Sequence, residues 1–402
     1  MIGILTRFFG PSYLQLAEDV VQETLITALE KWSTEGTPDN PTAWLVQVAK
    51  RKALNQLKRH KFMREHQQSL IFSEADSEII EPIYLENEIK DSQLRMIFTC
   101  CHSEIDIKSQ IALTLKTLCG FGVKEVANAL LTTESTINKR LYRAKEKIRQ
   151  SDLPFAIPQG HELKTKLNTV GLTLYLLFNE GYNSSNGSTA IQKELCLEAV
   201  RLTKLLVDHF TENHELSALL ALMCFHTARF EARIDDKGAI VLFEDQDRKL
   251  WNKELIQIGM FHFKSSIHAK QISVYHIEAR IAAEHCIAKT FDATNWGAIY
   301  AQYQQLEQLK PNPIIKLNLA IIQSKLKGLE TSLKELEALE QHPELKLYHL
   351  LPATQGVFSM KVEKYDQAIF FFNKALSLVP STSEIAFIRT QINNCNKKRP
   401  TH

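Results

Sequence analysis

Over residues 16–32 the apolar side chains Ala17, Val20, Val21, Leu25, Ala28, Leu29 and Trp32 recur at intervals of three and four, with Glu18, Asp19, Gln22 and Glu23 between them. That period predicts an amphipathic helix, one side packed and the acidic side in water. Residues 33–40 collect Ser, Thr, Gly, Pro, Asp and Asn, and Asn40 precedes Pro41, so a loop leads into a second helix over 41–61. Periodicity resumes at Ser92, Leu94, Ile97, Phe98 and Cys101, and 110–119 reads as a further helix before Gly120-Phe-Gly122. Long amphipathic helices are expected around 161–180, 190–209 and 215–231, then a short hairpin at 232–243 and more helices to the end.

Within the last part, Gly356, Tyr365, Ala368, Phe372, Ala375 and Pro380 fall at the small, aromatic and proline positions of a tetratricopeptide unit, without its leading Trp. Residues 313–342 look like a weaker neighbouring unit. The expected fold is all-α: two small helical domains, the second a helix-turn-helix, followed by a tetratricopeptide-like helical array.

Charge divides the chain further. Residues 43–64 carry seven basic side chains, including Lys50, Arg51 and Arg59, and no acid; residues 65–91 carry eight acids against Lys90 alone. The acidic stretch reads as a linker, which gives domains at 1–64, 92–150 and 160–402. The whole chain has a formal charge of only +2, which excludes a uniformly basic coat and leaves local patches as the places to look for nucleic-acid contact.

The sharpest local pattern lies at 123–148. Val126, Ala127 and Leu130 pack one short helix, Thr132 and Thr133 turn the chain, and Ile137, Leu141 and Ile148 pack a second. Outside that packed stripe stand Ser135, Thr136, Lys139, Arg140 and Arg143, placed to reach base edges, with Arg143, Lys145 and Lys147 directed at phosphates. Six basic residues face two acids over 134–149. A DNA-binding helix-turn-helix is the reading; an ordinary helical hairpin with a solvated basic face is its rival. In the helix over 41–61, Trp44 with Lys50, Arg51, Asn55 and Arg59 suits phosphate contact and strand capture.

Other candidates read as structural. Cys100, Cys101, His102 and Cys119 invite zinc, but neighbouring helical residues point about 100° apart, so helix packing is expected instead. The seven cysteines form no disulfide framework and fit a reducing compartment. Asn179, Glu180 and Tyr182 end an apolar helix and could line a pocket, or simply fix the helix end. The carboxylates at 244–247 could form an acid/base site but read equally as charge at the start of a helix, and neither His276 nor His285 has an identifiable nucleophile beside it. No metal, cofactor or catalytic residue is expected, and the chain is not expected to be an enzyme. The N-terminus is too short for a signal peptide and no apolar run reaches the roughly 18 residues that span a bilayer, so a cytoplasmic protein without a membrane partner is expected.

The order of these pieces resembles an RNA polymerase sigma factor of the extracytoplasmic-function type. Ala17-Glu-Asp-Val-Val-Gln-Glu-Thr-Leu25 is similar to that family's polymerase-binding helix, and Trp44-Leu-Val-Gln-Val-Ala-Lys-Arg-Lys-Ala-Leu-Asn-Gln-Leu57 to its −10 helix. Leu94-Arg-Met-Ile-Phe-Thr-Cys-Cys-His102, Leu174-Tyr-Leu-Leu-Phe-Asn-Glu-Gly-Tyr182 and Asp245-Gln-Asp-Arg248 resemble hallmarks of the subgroup with a C-terminal tetratricopeptide-like extension. The chain starts almost inside the family's first helix, so that helix is expected to be short.

The resemblance implies a region 2 that binds polymerase and the −10 element and a region 4 that binds the −35 element. Asp19, Gln22 and Glu23 would dock on the β′ clamp helices, with the β flap as a further contact. The loop 33–40 would hold a flipped base, with Lys50, Arg51, Asn55 and Arg59 near the DNA. The extension would regulate, through a ligand or protein partner the sequence does not identify. The rival from another class is a one-component regulator that binds DNA through its helix-turn-helix without polymerase; a helical enzyme using Glu180 or the 244–247 carboxylates is a third.

Overall fold

A computed structural model describes residues 1–63, 82–130, 132–151, 155–182, 193–235, 241–379 and 382–399. Eighteen helices of the α type form among them, and the chain divides into two compact units, 1–176 and 177–402.

The first unit opens with α1 (Ile2–Phe9), α2 (Leu14–Glu35) and α3 (Pro41–Met63). Asn40 caps α3 as its sequence position predicts, its side chain accepting from the Ala43 N–H at 3.0 Å. Leu5, Ala17, Val20, Val21, Ala49 and Ala53 make the shared core of the three helices. The packed stripe of α2 is rotated from the expected one. Glu18 and Thr24 are buried with Leu14, Ala17, Val20, Val21 and Ala28, whereas Leu25, Ile26 and Leu29 are exposed.

Helix α4 (Pro82–Cys100) begins well before residue 92. Its first half, read from composition as linker, packs on α1 and α3. Ile89 joins the Ile4–Val46 core, Glu88 pairs with Lys50 at 3.2 Å, and Asp91 pairs with Arg7 and Arg95. A Cβ added to Gly3 would lie 2.9 Å from the Ser92 carbonyl oxygen, so the two helices meet backbone to backbone there. The acids of this stretch therefore solvate an interface with a basic helix. The part of the expected linker at 64–81 lies outside the described residues.

Helices α5 (Ile107–Thr117), α6 (Val123–Ala129) and α7 (Glu134–Gln150) complete the helix-turn-helix. Asp106 caps α5, accepting from Ser109 N–H at 3.0 Å, and Thr133 caps α7, accepting from Thr136 N–H at 3.2 Å. Val126, Ala127, Ile137, Leu141 and Ile148 are buried as their spacing requires. Helix α8 (Gly160–Tyr182) contributes Thr173, whose hydroxyl donates to Gln110 Oε1 at 2.8 Å, so its first turns pack with this unit and the division falls inside the helix rather than before residue 160.

The second unit contains α9 (Lys193–His209), α10 (His214–Thr227), α11 (Lys253–Ser266), α12 (Val274–Ile287), α13 (Trp296–Leu309), α14 (Pro313–Lys327), α15 (Leu329–Leu339), α16 (Leu350–Lys361), α17 (Tyr365–Leu376) and α18 (Thr382–Lys398). Helix α10 is buried around nearly its whole circumference, Leu216 to Phe225 included, and packs against α9, α11 and α12. From α12 onward each core joins successive helices: Ile277, Ile299 and Ile315, then Leu317, Leu336 and Leu351, then Phe372, Ile388 and Cys395. That is the nearest-neighbour packing of a helical repeat array. At the α16–α17 crossing a Cβ on Gly356 would stand 2.7 Å from the Phe372 ring, which explains the small residue at that repeat position. Pro380 lies outside the described residues. Of the expected hairpin, the described ends are joined by Val241 N–H donating to the Arg233 carbonyl at 2.9 Å; residues 236–240 lie outside the description.

Candidate nucleic-acid and polymerase interface

Helix α7 presents Ser135, Asn138, Lys139, Tyr142 and Arg143 around one open groove, spaced at three and four so that they share a face. Asn138 and Tyr142 were not among the residues the motif singled out, although the spacing from Ser135 selects them. An amide can read adenine bidentately, and the Tyr142 ring is 67% exposed among cations. Neither Lys139 nor Arg143 is held by a carboxylate among the described residues. Thr136 is spent on the cap of its own helix, its hydroxyl 2.9 Å from that of Thr133. Arg140 is half-buried off the groove face, on the side of Asp106, whose carboxyl it helps hold below the usual range together with the Ser109 hydrogen bonds, against the opposing effect of burial.

The remaining basic residues of α7 are already partnered. Lys145, expected at a phosphate, donates to Glu18 at 2.6 Å and to Gln15 at 2.9 Å, so α7 is fastened to α2 inside the first unit. Its side chain is 18% exposed and that of Glu18 is 7% exposed, which makes the pair largely buried. Lys147 pairs with Glu104 in water, and Arg149 with Glu146.

On α3 the candidate residues separate in the same way. Lys50 is turned inward to Glu88 and lies 4.8 Å from the centre of the Phe8 ring. Arg51 and Asn55, one turn apart, are exposed. The Arg59 side chain lies outside the described residues. Trp44 at the start of α3 meets Trp32 near the end of α2 with ring centres 5.4 Å apart, so the two indoles bracket the connection; of the expected loop 33–40, residues 33–35 continue α2 and only 36–40 lie outside the helices.

Asp19, Gln22 and Glu23 are exposed on α2. Asp19 accepts from Gln15 at 2.9 Å and Glu23 from Gln56 at 3.2 Å, which orients both carboxylates. Ile26 and Leu29, 56% and 73% exposed, continue the same helix face. An acidic patch edged by exposed aliphatic side chains is the composition of a protein-docking surface. The signal was present in the periodicity, which assigned Leu29 to the core because Glu18 was assumed to face water.

The other candidates do not assemble into catalytic or metal sites. Cys100 lies 3.2 Å from the Thr117 hydroxyl and Cys101 faces Thr114, and burial pushes both thiols up, Cys101 to about 11. Among the described residues no group of three His, Cys, Asp or Glu side chains is placed to hold a metal ion. Glu244 bridges Lys325 and Lys361, while Asp247 caps the short turn Arg248–Leu250, so these carboxylates point to different tasks. His276 is bonded to Ser273. Asn179 and Glu180 are half-buried and make no hydrogen bond among the described residues; burial alone raises the Glu180 carboxyl. Tyr182 is engaged, its hydroxyl 3.1 Å from His226 Nδ1. Among the described residues no helix is long and apolar enough to cross a membrane.

Two helical modules are thus in place, one ending in an open basic helix and the other carrying a basic helix beside an exposed acidic face. Residues 1–62 match the family described as Sigma-70 region 2, residues 95–148 match Sigma-70, region 4, and residues 166–267 match a Family of unknown function (DUF6596). The chain is also 33% identical over 396 residues to the Uncharacterized protein R00370 of Rhizobium meliloti (strain 1021), covering 98% of this chain and 92% of that protein. The chain belongs to the sigma-70 factors, of the extracytoplasmic-function kind with a C-terminal extension. Its role is to direct core RNA polymerase to promoter DNA.

Proposed function

We propose that the acidic face of α2, Asp19, Gln22 and Glu23 with Ile26 and Leu29, docks on the β′ clamp helices, while the helix-turn-helix module meets the β flap. The loop 33–40 holds a flipped −10 base beside Arg51 and Asn55. Ser135, Asn138, Lys139, Tyr142 and Arg143 enter the major groove at the −35 element. The observation that carries this reading is the open groove on α7, where cations free of carboxylates alternate with neutral hydrogen-bonding groups on one face. A surface that can both neutralise phosphate and read base edges needs that mixture.

The chain acts by binding and not as an enzyme. Bases captured outside the stack and contacts to the backbone offset the cost of opening a few pairs, so no bond is hydrolysed by this protein. The second unit controls this activity. Co-purification with core polymerase separates this reading from a one-component regulator. Reversing charge at Asp19 and Glu23 together should abolish co-purification while circular dichroism stays that of the parent, and full retention by the folded variant would overturn the docking face. Run-off transcription with core enzyme, with and without residues 183–402, tests the control: equal transcript from both would remove it.

A further inference from the structure

Three guanidiniums in the second unit have no carboxylate among the described residues. The guanidinium of Arg229 lies 4.0 Å from the centre of the Phe243 ring and 5.4 Å from that of Trp251. Arg248 covers the same two rings at 5.9 and 4.5 Å, and Arg233 covers Tyr182 at 3.8 Å. Their hydrogen bonds go to neutral oxygens alone. Arg229 donates to Gln246 Oε1 at 3.2 and 3.3 Å, Arg248 to the His285 and Ala288 carbonyls at 2.6 and 2.8 Å, and Arg233 to the Tyr182 carbonyl at 3.4 Å. Nη2 of Arg248 is buried with no acceptor among the described residues.

Other groups nearby do not supply the missing negative charge. His226 and His285 are held neutral, pushed down to about 3 by burial first and by these arginines second. The acidic groups that act on Arg229 are the Tyr182 phenol and the Cys286 thiol, and burial pushes that thiol up to about 11, so it too is neutral. Glu244, close in sequence, is spent on Lys325 and Lys361. A guanidinium does not shed its proton at any ordinary pH, and a ring face or a carbonyl offsets only a fraction of taking a full charge out of water. Charges of one sign drawn partly out of water are completed by a counter-charge, and among the described residues none pairs with these three half-buried arginines.

We propose that Arg229, Arg233 and Arg248 form a binding site for an organic phosphate carrying two or more negative charges. Three fixed positive charges call for more than one negative charge, and phosphate places two on one centre while matching the guanidinium fork. A cavity of about 700 Å³ adjoins the cluster and shares Phe243 and His285 with it. Its other walls include Phe291, Trp296, Tyr303 and Phe358, which suits the apolar or aromatic body of such a ligand. The site lies outside both promoter modules and does not depend on the docking or base contacts proposed for them.

The test is calorimetric titration of the full chain with inorganic pyrophosphate, with citrate, and with chloride at matched ionic strength. Pyrophosphate should bind saturably at one site per chain, and citrate at least tenfold more weakly. Arg248→Lys, which keeps the charge and removes the fork, should weaken pyrophosphate at least tenfold, as should Arg233→Gln at a half-buried position. Arg201→Gln, an exposed residue paired with Glu198, and a Lys139→Ala, Arg143→Ala double variant should bind like the parent. No saturable heat above chloride would overturn the site. So would binding that survives both cluster variants or disappears with the α7 variant, since the anion would then sit elsewhere. Citrate binding as tightly as pyrophosphate would overturn the phosphate assignment.

Discussion

On α7, Lys139 and Arg143 stand in water beside an open groove; in the second unit, Arg229 and Arg248 share the same two aromatic rings and, among the described residues, donate to carbonyl and amide oxygens alone. Both pairs lack carboxylates, and the reasons differ. In solvent an unpaired cation is cheap, because water and loosely held counterions neutralise it, and release of those counterions drives binding to nucleic acid. In the interior the same charge is costly and must be completed by something fixed in place. Between them stands Lys145, on the same helix as Arg143 and yet buried against Glu18. Position along α7, not residue type, decides whether a cation is available to DNA.

The comparison breaks most sharply if the exposed cations are removed. Lys139→Ala with Arg143→Ala should cost about 2 to 6 kcal/mol of promoter affinity, taking about 1 to 3 kcal/mol for each good base contact. The slope of log affinity against log salt should become shallower by about one to two. Fluorescence anisotropy over a salt series measures both, and unchanged slope and affinity would show that this face does not meet DNA.

Next is the buried pair. Lys145→Met leaves the Glu18 carboxylate buried without its cation and should cost about 3 kcal/mol in urea unfolding of the first unit. Restoring complementarity with Glu18→Gln in the same chain should recover much of it. A loss no larger than that of a surface substitution would mean the pair is loosely held.

A smaller effect is expected from acid. His226 and His285 have native pKa values of about 3 against an ordinary 6.5. Below pH 6.5 the unfolded chain takes up protons that the folded chain refuses, so these residues stabilise fully above pH 6.5 and progressively less as the pH falls toward 3. Each should remove about 1 kcal/mol per pH unit in that window. His226→Gln should flatten the dependence of the second unit's unfolding midpoint on pH between 6.5 and 5; an identical slope would show that His226 titrates freely. The smallest effect belongs to the solvent-exposed Lys147, whose replacement by Ala should leave both midpoints where they are.

How much of this was legible in the sequence follows the range of the interactions. The helix-turn-helix was readable because its caps, turn and packed stripe lie within residues 123–148 and each repeats a local rule. The rotation of α2 was not, because burial of Glu18 depends on a lysine 127 residues away. Residues 82–91 read as linker because they end a stretch, 65–91, with eight acids against Lys90 alone, and only the fold brings Lys50 and Arg7 to meet them. Asn138 and Tyr142 were recoverable from spacing alone. The arginine cluster was not, since its members and their aromatic faces come from four separate stretches, 182, 229–233, 243 and 248–251, which only the fold brings together.

The contact between Trp32 and Trp44 has an entropic consequence for the loop it brackets. The five residues 36–40 that join the two helices would ordinarily explore many end-to-end separations, and the cost of bringing their ends together would fall on whatever ligand ordered them. With the indoles touching, that closure is made during folding, before any strand arrives. On the proposed −10 reading, a nucleotide entering this connection meets a ring already formed, so more of its stacking and hydrogen-bond energy is expressed as affinity. Replacing either indole by alanine would reopen the ring and transfer the cost of closing it to the moment of strand capture.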